Sequence, residues 1–223
     1  MKELELAALL CSRVCHDLIS PVGAMANGVE VLADEDDEEL KDSALKLIGS
    51  SAAQASAKLQ YARLAYGSAS SQGGSIDTRD AEYVVRELFK SLKAGLEWRL
   101  APRIADKNEV KLLLNLILIA TEAAPRGGTI TVEGPMPAPG SAGTLAIRAE
   151  GPHARLRDEV AGLLVGAQSE EALDPRTVQP YVAALLAAHL GQRIEVAREE
   201  GCVTIATAPL PRPAPDERRF FSF

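Results

Sequence analysis

Within this 223-residue chain, the segment His16-Asp17-Leu18-Ile19-Ser20-Pro21-Val22 holds the residue types best suited to group transfer. A neutral imidazole is a good nucleophile near pH 7, and histidine is the side chain whose unperturbed pKa lies in that range. A phosphoryl group on a ring nitrogen is a labile phosphoramidate, ready to move on to a carboxylate. Asp17 is placed to orient or deprotonate the ring, directly or through water. Arg13 and Ser20 stand one helical turn to either side and could contact an incoming phosphoryl oxygen. Pro21 follows His16 by five residues within a helical pattern; it removes a backbone donor and crowds the carbonyl of Asp17. At a cost of about 3 kcal/mol, a proline there suggests a purpose for the bend it imposes. Blander readings stay open on residue types alone, since surface histidines beside acids are common and helices tolerate kinks. Cys11 and Cys15 near His16 hint at metal, but both fall on packing positions. Cys15 and His16 also make a poor nucleophile pair, because adjacent helical residues do not face each other.

The element that must carry this segment is a long helix over residues 4 to 33. Leu4, Cys11, Leu18, Met25 and Leu32 form one apolar row, and Ala8, Cys15, Val22 and Val29 form the other. Alternating steps of three and four are the seam of a bundle or coiled coil. His16 then lies beside the seam and should point to solvent. The acidic run Asp34-Glu35-Asp36-Asp37-Glu38-Glu39 cannot be buried and predicts an exposed turn. A second helix over 38–66 repeats the pattern with Leu45, Ala52, Leu59 and Tyr66, and with Ile48, Ala55 and Ala62. Together they make a helical hairpin, each arm spanning roughly 40–45 Å at about 1.5 Å per residue. A lone hairpin leaves apolar surface on both arms, so two chains are expected to pair into a four-helix bundle.

The Gly/Ser-rich stretch 68–75 reads as a linker between a hairpin of residues 1–67 and a second domain of residues 76–212, with 213–223 as a tail. The second domain alternates helices (80–95, 108–123, 157–165, 178–190) with strands (97–100, 129–133, 144–149, 193–198, 202–208). That order predicts an α+β sandwich with helices on one face of a sheet.

Composition bounds the function classes. With 24 basic and 31 acidic side chains the net charge is −7, which counts against a general nucleic-acid binder. Three cysteines do not make a disulfide scaffold. The amino terminus carries acids where a signal peptide carries bases. The longest apolar run, residues 112–120, is broken at Asn115 and is too short to span a membrane. A reduced, cytoplasmic protein without membrane contact is expected. Of the other histidines, His153 falls in a predicted loop and His189 ends a helix before Gly191, where a cation is structurally useful.

His16-Asp17-Leu18-x-x-Pro21-Val22 resembles the H-box of sensor histidine kinases, and it stands on the first helix of a hairpin as that family requires. The mixed domain after the linker resembles their ATP-binding domain, but its motifs are lost. Asn115 keeps the first asparagine of the N-box, while Ile119 stands where the Mg²⁺ ligand belongs, and an aliphatic side chain cannot ligate that cation. Ala149-Glu150-Gly151-Pro152-His153 lacks the aspartate that receives adenine. No glycines surround Thr177-Val178-Gln179-Pro180, where backbone amides should approach phosphates.

A kinase hairpin joined to a kinase-like domain without ATP equipment is similar to the ChpT family of bacterial histidine phosphotransferases. The resemblance implies a dimer that accepts phosphoryl on His16 from the receiver domain of a hybrid kinase and passes it to the receivers of response regulators. It implies no ATP and no bound cofactor, with Mg²⁺ on the partner receiver. Receivers would dock near Val22, Met25, Ala26 and Val29, one or two turns past His16, on a row partly shared with the bundle seam. An ATP-dependent kinase and a non-catalytic dimeric adaptor are the rival readings.

Overall fold

The computed structural model describes residues 3–34, 36–67, 74–135, 144–166 and 173–210. Most of the expected linker and the whole tail lie outside these residues, and Ser75, assigned to the linker by composition, opens the first strand instead.

Helices α1 (Glu3–Asp34) and α2 (Glu38–Tyr66) form the expected hairpin. Helix α2 starts where Asp37 accepts the backbone N–H of Glu39 at 2.8 Å, with Glu38 and Glu39 suited to the positive end of the helix. It ends at Gly67, whose N–H returns to the Arg63 carbonyl. Pro21 and Gly28 are the buried residues of α1. Gly28 lets the arms approach closely: a Cβ there would stand 2.6 Å from Ile48 Cγ1. Of the two predicted rows on α1, only Leu18, Met25 and Leu32 are half-buried within one chain. The row Ala8, Cys15, Val22 and Val29 is exposed, as are Leu45 and Leu59 on α2.

The rest of the described chain is an α/β sandwich. Two short strands, β1 (Ser75–Asp77) and β3 (Ile104–Asp106), pair antiparallel. The main sheet has the order β2 (Ala94–Trp98), β4 (Gly128–Glu133), β5 (Ala146–Glu150), β7 (Cys202–Pro209), β6 (Gln192–Glu199). Only the β2–β4 pair is parallel. Alternation along the strands gives the sheet a buried face of Ile130, Val132, Ile147, Ala149, Ile194, Val203 and Ile205. Helices α3 (Thr78–Phe89), α4 (Lys107–Ala123), α5 (Asp158–Leu164) and α6 (Val178–His189) complete the layer. The sequence pattern runs α3 on to residue 95, but the helix stops at Phe89 and Ala94-Gly95 belong to β2. Helix α4 is apolar nearly all round, as a helix covered on several sides must be, and is fixed at its start by a capping box between Asp106 and Glu109.

Helix α1 continues through Pro21. Proline has no N–H to give the carbonyl four residues earlier, that of Asp17. Lys58 of α2 supplies the donor: its Nζ lies 2.8 Å from the Asp17 carbonyl oxygen. Lys58→Met should therefore destabilise the fold by about 1–2 kcal/mol, the worth of a hydrogen bond to a charged group less its solvent-exposed share. In a Pro21→Ala background the backbone N–H returns and the same substitution should cost less. Urea unfolding of the wild type, both single variants and the double variant measures that coupling; strict additivity would show that the two residues do not share this carbonyl.

Candidate functional site

His16 sits on the outer surface of α1 with its side chain 65% exposed, and Cys15, expected at the seam, is exposed beside it within one chain. Its Nδ1 lies 3.4 Å from Asp17 Oδ1, the outer limit of hydrogen-bond distance. The opposite ring nitrogen, Nε2, is the one not turned toward Asp17. Fixing one ring nitrogen selects the tautomer that leaves the other as a lone pair.

Arg13 is placed differently from the sequence reading. Its guanidinium is only 12% exposed and is committed at both ends, Nε to Asp17 Oδ2 at 3.0 Å and NH2 to Glu122 of α4. Burial alone would lower its pKa; the carboxylates of Glu122 and Asp17 more than offset this and raise it, so the cation is permanent. It is thus bound within the fold rather than presented to an incoming phosphoryl group. Tyr66 stands in the same field, its hydroxyl pushed upward first by burial and then by Asp17 and Glu122, against the opposing pull of Arg13. Ser20 is exposed and Pro21 buried. Of the predicted docking residues, Val22, Ala26 and Val29 are exposed and Met25 is half-buried.

Two residues that contact the neighbours of His16 escaped the sequence pattern: Lys58, which donates to the Asp17 carbonyl, and Glu122, which pairs with Arg13. They border a cavity of about 160 Å³ between α1, α2 and α4 that Arg13, Asp17, Leu18 and Leu118 also line. Just past the carboxyl end of α4, Arg126, His153 and Arg155 line a second cavity of about 300 Å³. The backbone N–H of Arg155 bonds the carbonyl of Ala123, one residue beyond Glu122, so this basic cluster belongs to the end of α4 that Arg13 reaches.

The remnant of the N-box is turned into the core. Asn115 is fully buried, its Nδ2 donates to the Lys111 carbonyl at 2.8 Å, and the Gln179 amide donates to the Asn115 carbonyl at 3.3 Å. Ile119 is buried as well. These residues do not fit a nucleotide with its Mg²⁺, which needs oxygen ligands presented to an open site. Among the described residues no three His, Cys, Asp or Glu side chains converge on a metal position.

A family model described as the histidine phosphotransferase C-terminal domain matches residues 78–201. The chain is 45% identical over 202 residues to the protein phosphotransferase ChpT of Brucella abortus (strain 2308), covering 88% of this chain and 91% of that protein. A solved structure of a bacterial phosphotransferase superposes with a TM-score of 0.82 at 40% identity, over 93% of this chain and 98% of the other. The two-helix hairpin, the mixed sandwich and these likenesses agree: the chain is a phosphotransferase and belongs to the ChpT-like histidine phosphotransferase family.

Proposed function

We propose that His16 is the phosphoryl carrier of a bacterial phosphorelay, taking phosphoryl from the receiver aspartate of a hybrid kinase and giving it to the receiver aspartate of a response regulator. The observation that carries this reading is a largely exposed imidazole on a helix, with a carboxylate facing its Nδ1. The Nε2 lone pair attacks phosphorus in line. As the N–P bond forms, the bond from phosphorus to the receiver carboxylate breaks and its electron pair leaves with that carboxylate. The Nδ1 proton stays between the ring and Asp17, which faces the positive charge that the ring acquires. The return step is the reverse, with a second receiver as acceptor. The partner receiver brings the metal ion and cationic side chain that offset the charge of the moving phosphoryl group. This chain contributes position, the term a rigid helix supplies best.

The reading extends to partners. Val22, Ala26 and Val29 on α1 offer apolar contact, and Arg126 and Arg155 offer positive charge to the acidic rim of a receiver. The carrier works without ATP, a reading supported by the inward turn of Asn115 and the burial of Ile119.

A homodimer is part of the proposal. By length and composition alone α1 is long and apolar enough to cross a membrane. Arg13 and Asp17 toward its middle are costly in hydrocarbon, whereas Leu45 at 58% and Leu59 at 50% exposure suit a second hairpin. A cytoplasmic bundle accounts for both.

Transfer from a radiolabelled phosphorylated receiver should label the wild type with an acid-labile, alkali-stable phosphate and leave His16→Ala unlabelled at unchanged circular dichroism. ATP alone should label neither, and ATP-dependent labelling of His16 would establish the kinase reading instead. Leu45→Arg should halve the sedimenting mass in ultracentrifugation; a wild type already at the mass of one chain would remove the dimer from the proposal.

A further inference from the structure

A row of contacts runs from the α/β layer to the imidazole. Glu122 of α4 holds one end of the Arg13 guanidinium, the other end holds Asp17 Oδ2, and Asp17 Oδ1 faces His16 Nδ1. The middle member is nearly enclosed, so water screens its two ion pairs less than it screens surface pairs. A planar guanidinium can hold two carboxylates at once in fixed directions; an ammonium cannot.

We propose that Glu122 and Arg13 are positioning residues for phosphoryl transfer: Glu122 fixes Arg13, and Arg13 turns the Asp17 carboxylate so that it retains the Nδ1–H tautomer of His16 and leaves Nε2 free to attack. This rests on His16 as the carrier. Without the charge at Glu122, Arg13 is released to take both oxygens of Asp17 as a bidentate pair, and Oδ1 leaves the ring. An unrestrained histidine side chain favours the Nε2–H tautomer, in which the attacking nitrogen carries a proton. The population competent to attack then shrinks. A purely electrostatic role gives the opposite sign. Loss of a carboxylate makes the surroundings of His16 more positive, which would speed reaction with an anionic phosphoryl group.

The test uses full-length protein with Glu122→Gln, Glu122→Asp and Arg13→Lys. Two-bond ¹H–¹⁵N spectra read the tautomer of His16 directly, assigned by comparison with His16→Ala. Single-turnover transfer from a phosphorylated receiver, over a range of receiver concentrations, separates rate from binding. Glu122→Gln and Arg13→Lys should move His16 toward the Nε2–H tautomer and slow transfer at saturating receiver about threefold to tenfold, with half-saturation unchanged. Glu122→Asp should recover part of both effects. Wild-type tautomer populations in Glu122→Gln would overturn the proposal, as would faster transfer, or a loss confined to receiver binding. The spectra need no receiver, so they decide the positioning claim even if His16 fails to take up phosphate, which would sink the carrier reading alone.

Discussion

One face of the carboxyl-terminal half of α2 is buried against the α/β layer, and the placement of the site depends on that burial. Tyr61 and Ala65 belong to the same apolar cluster as Leu113, Leu116 and Ile117 of α4. The Tyr61 hydroxyl donates to the Leu114 carbonyl at 2.7 Å, and burial pushes its pKa well up, which keeps it a donor. A buried phenol with its partner removed would carry a desolvation cost of about 1–3 kcal/mol, so this contact strongly favours one seating of α2 on α4. Once α2 is fixed, α1 follows through the close contact at Gly28 and through Lys58 on the Asp17 carbonyl. His16 is therefore carried by a hairpin anchored to the second layer, and its exposure is set by that anchoring as well as by its own helix.

Helix α4 serves both layers. One part of it lies against the sheet, another receives Tyr61, and its last turn carries Glu122 to Arg13. Asn115 lies between, its Nδ2 donating to the Lys111 carbonyl and its own backbone carbonyl accepting from Gln179, while its Oδ1 is buried without a partner among the described residues. Packing α6 onto this stretch of α4 engages the Asn115 backbone carbonyl and buries its side chain. In this chain the helix is a structural strut between two layers.

The features legible in the sequence are those encoded locally. The limits of α2 follow from Asp37 at one end and Gly67 at the other, and the solvent-facing position of His16 from the apolar spacing of α1. Helix α4 and the β6–β7 hairpin were readable for the same reason. The strands β1 and β3 were not: each has three residues, too few for a period-two pattern, and Ser75 closes a stretch that reads as linker. The site partners fail to show for a different reason. Lys58 lies 41 residues from Asp17, and Glu122 lies 109 from Arg13, so no spacing rule connects them. Arg13 was visible as a neighbour of His16, but its direction was not. Two carboxylates hold it inside the fold, and one of them arrives only through tertiary packing.

The distribution of charge follows the same division. The chain is acidic, yet much of the excess is concentrated in the turn from Asp34 to Glu39 at the far end of the hairpin. In the contacts around Asp17 the charges balance: Arg13 and Lys58 stand against Asp17 and Glu122. An approaching phosphoryl group carries negative charge, and so does the receiver that brings it. Uncompensated carboxylates near the imidazole would repel both, whereas an excess of cations would hold the phosphoryl group and resist its departure to the next acceptor. A carrier must release what it accepts, so its site should favour neither donor nor product strongly. Local neutrality satisfies that condition while leaving Asp17 aimed at the ring, and it requires the carboxylate of Glu122 from outside the hairpin.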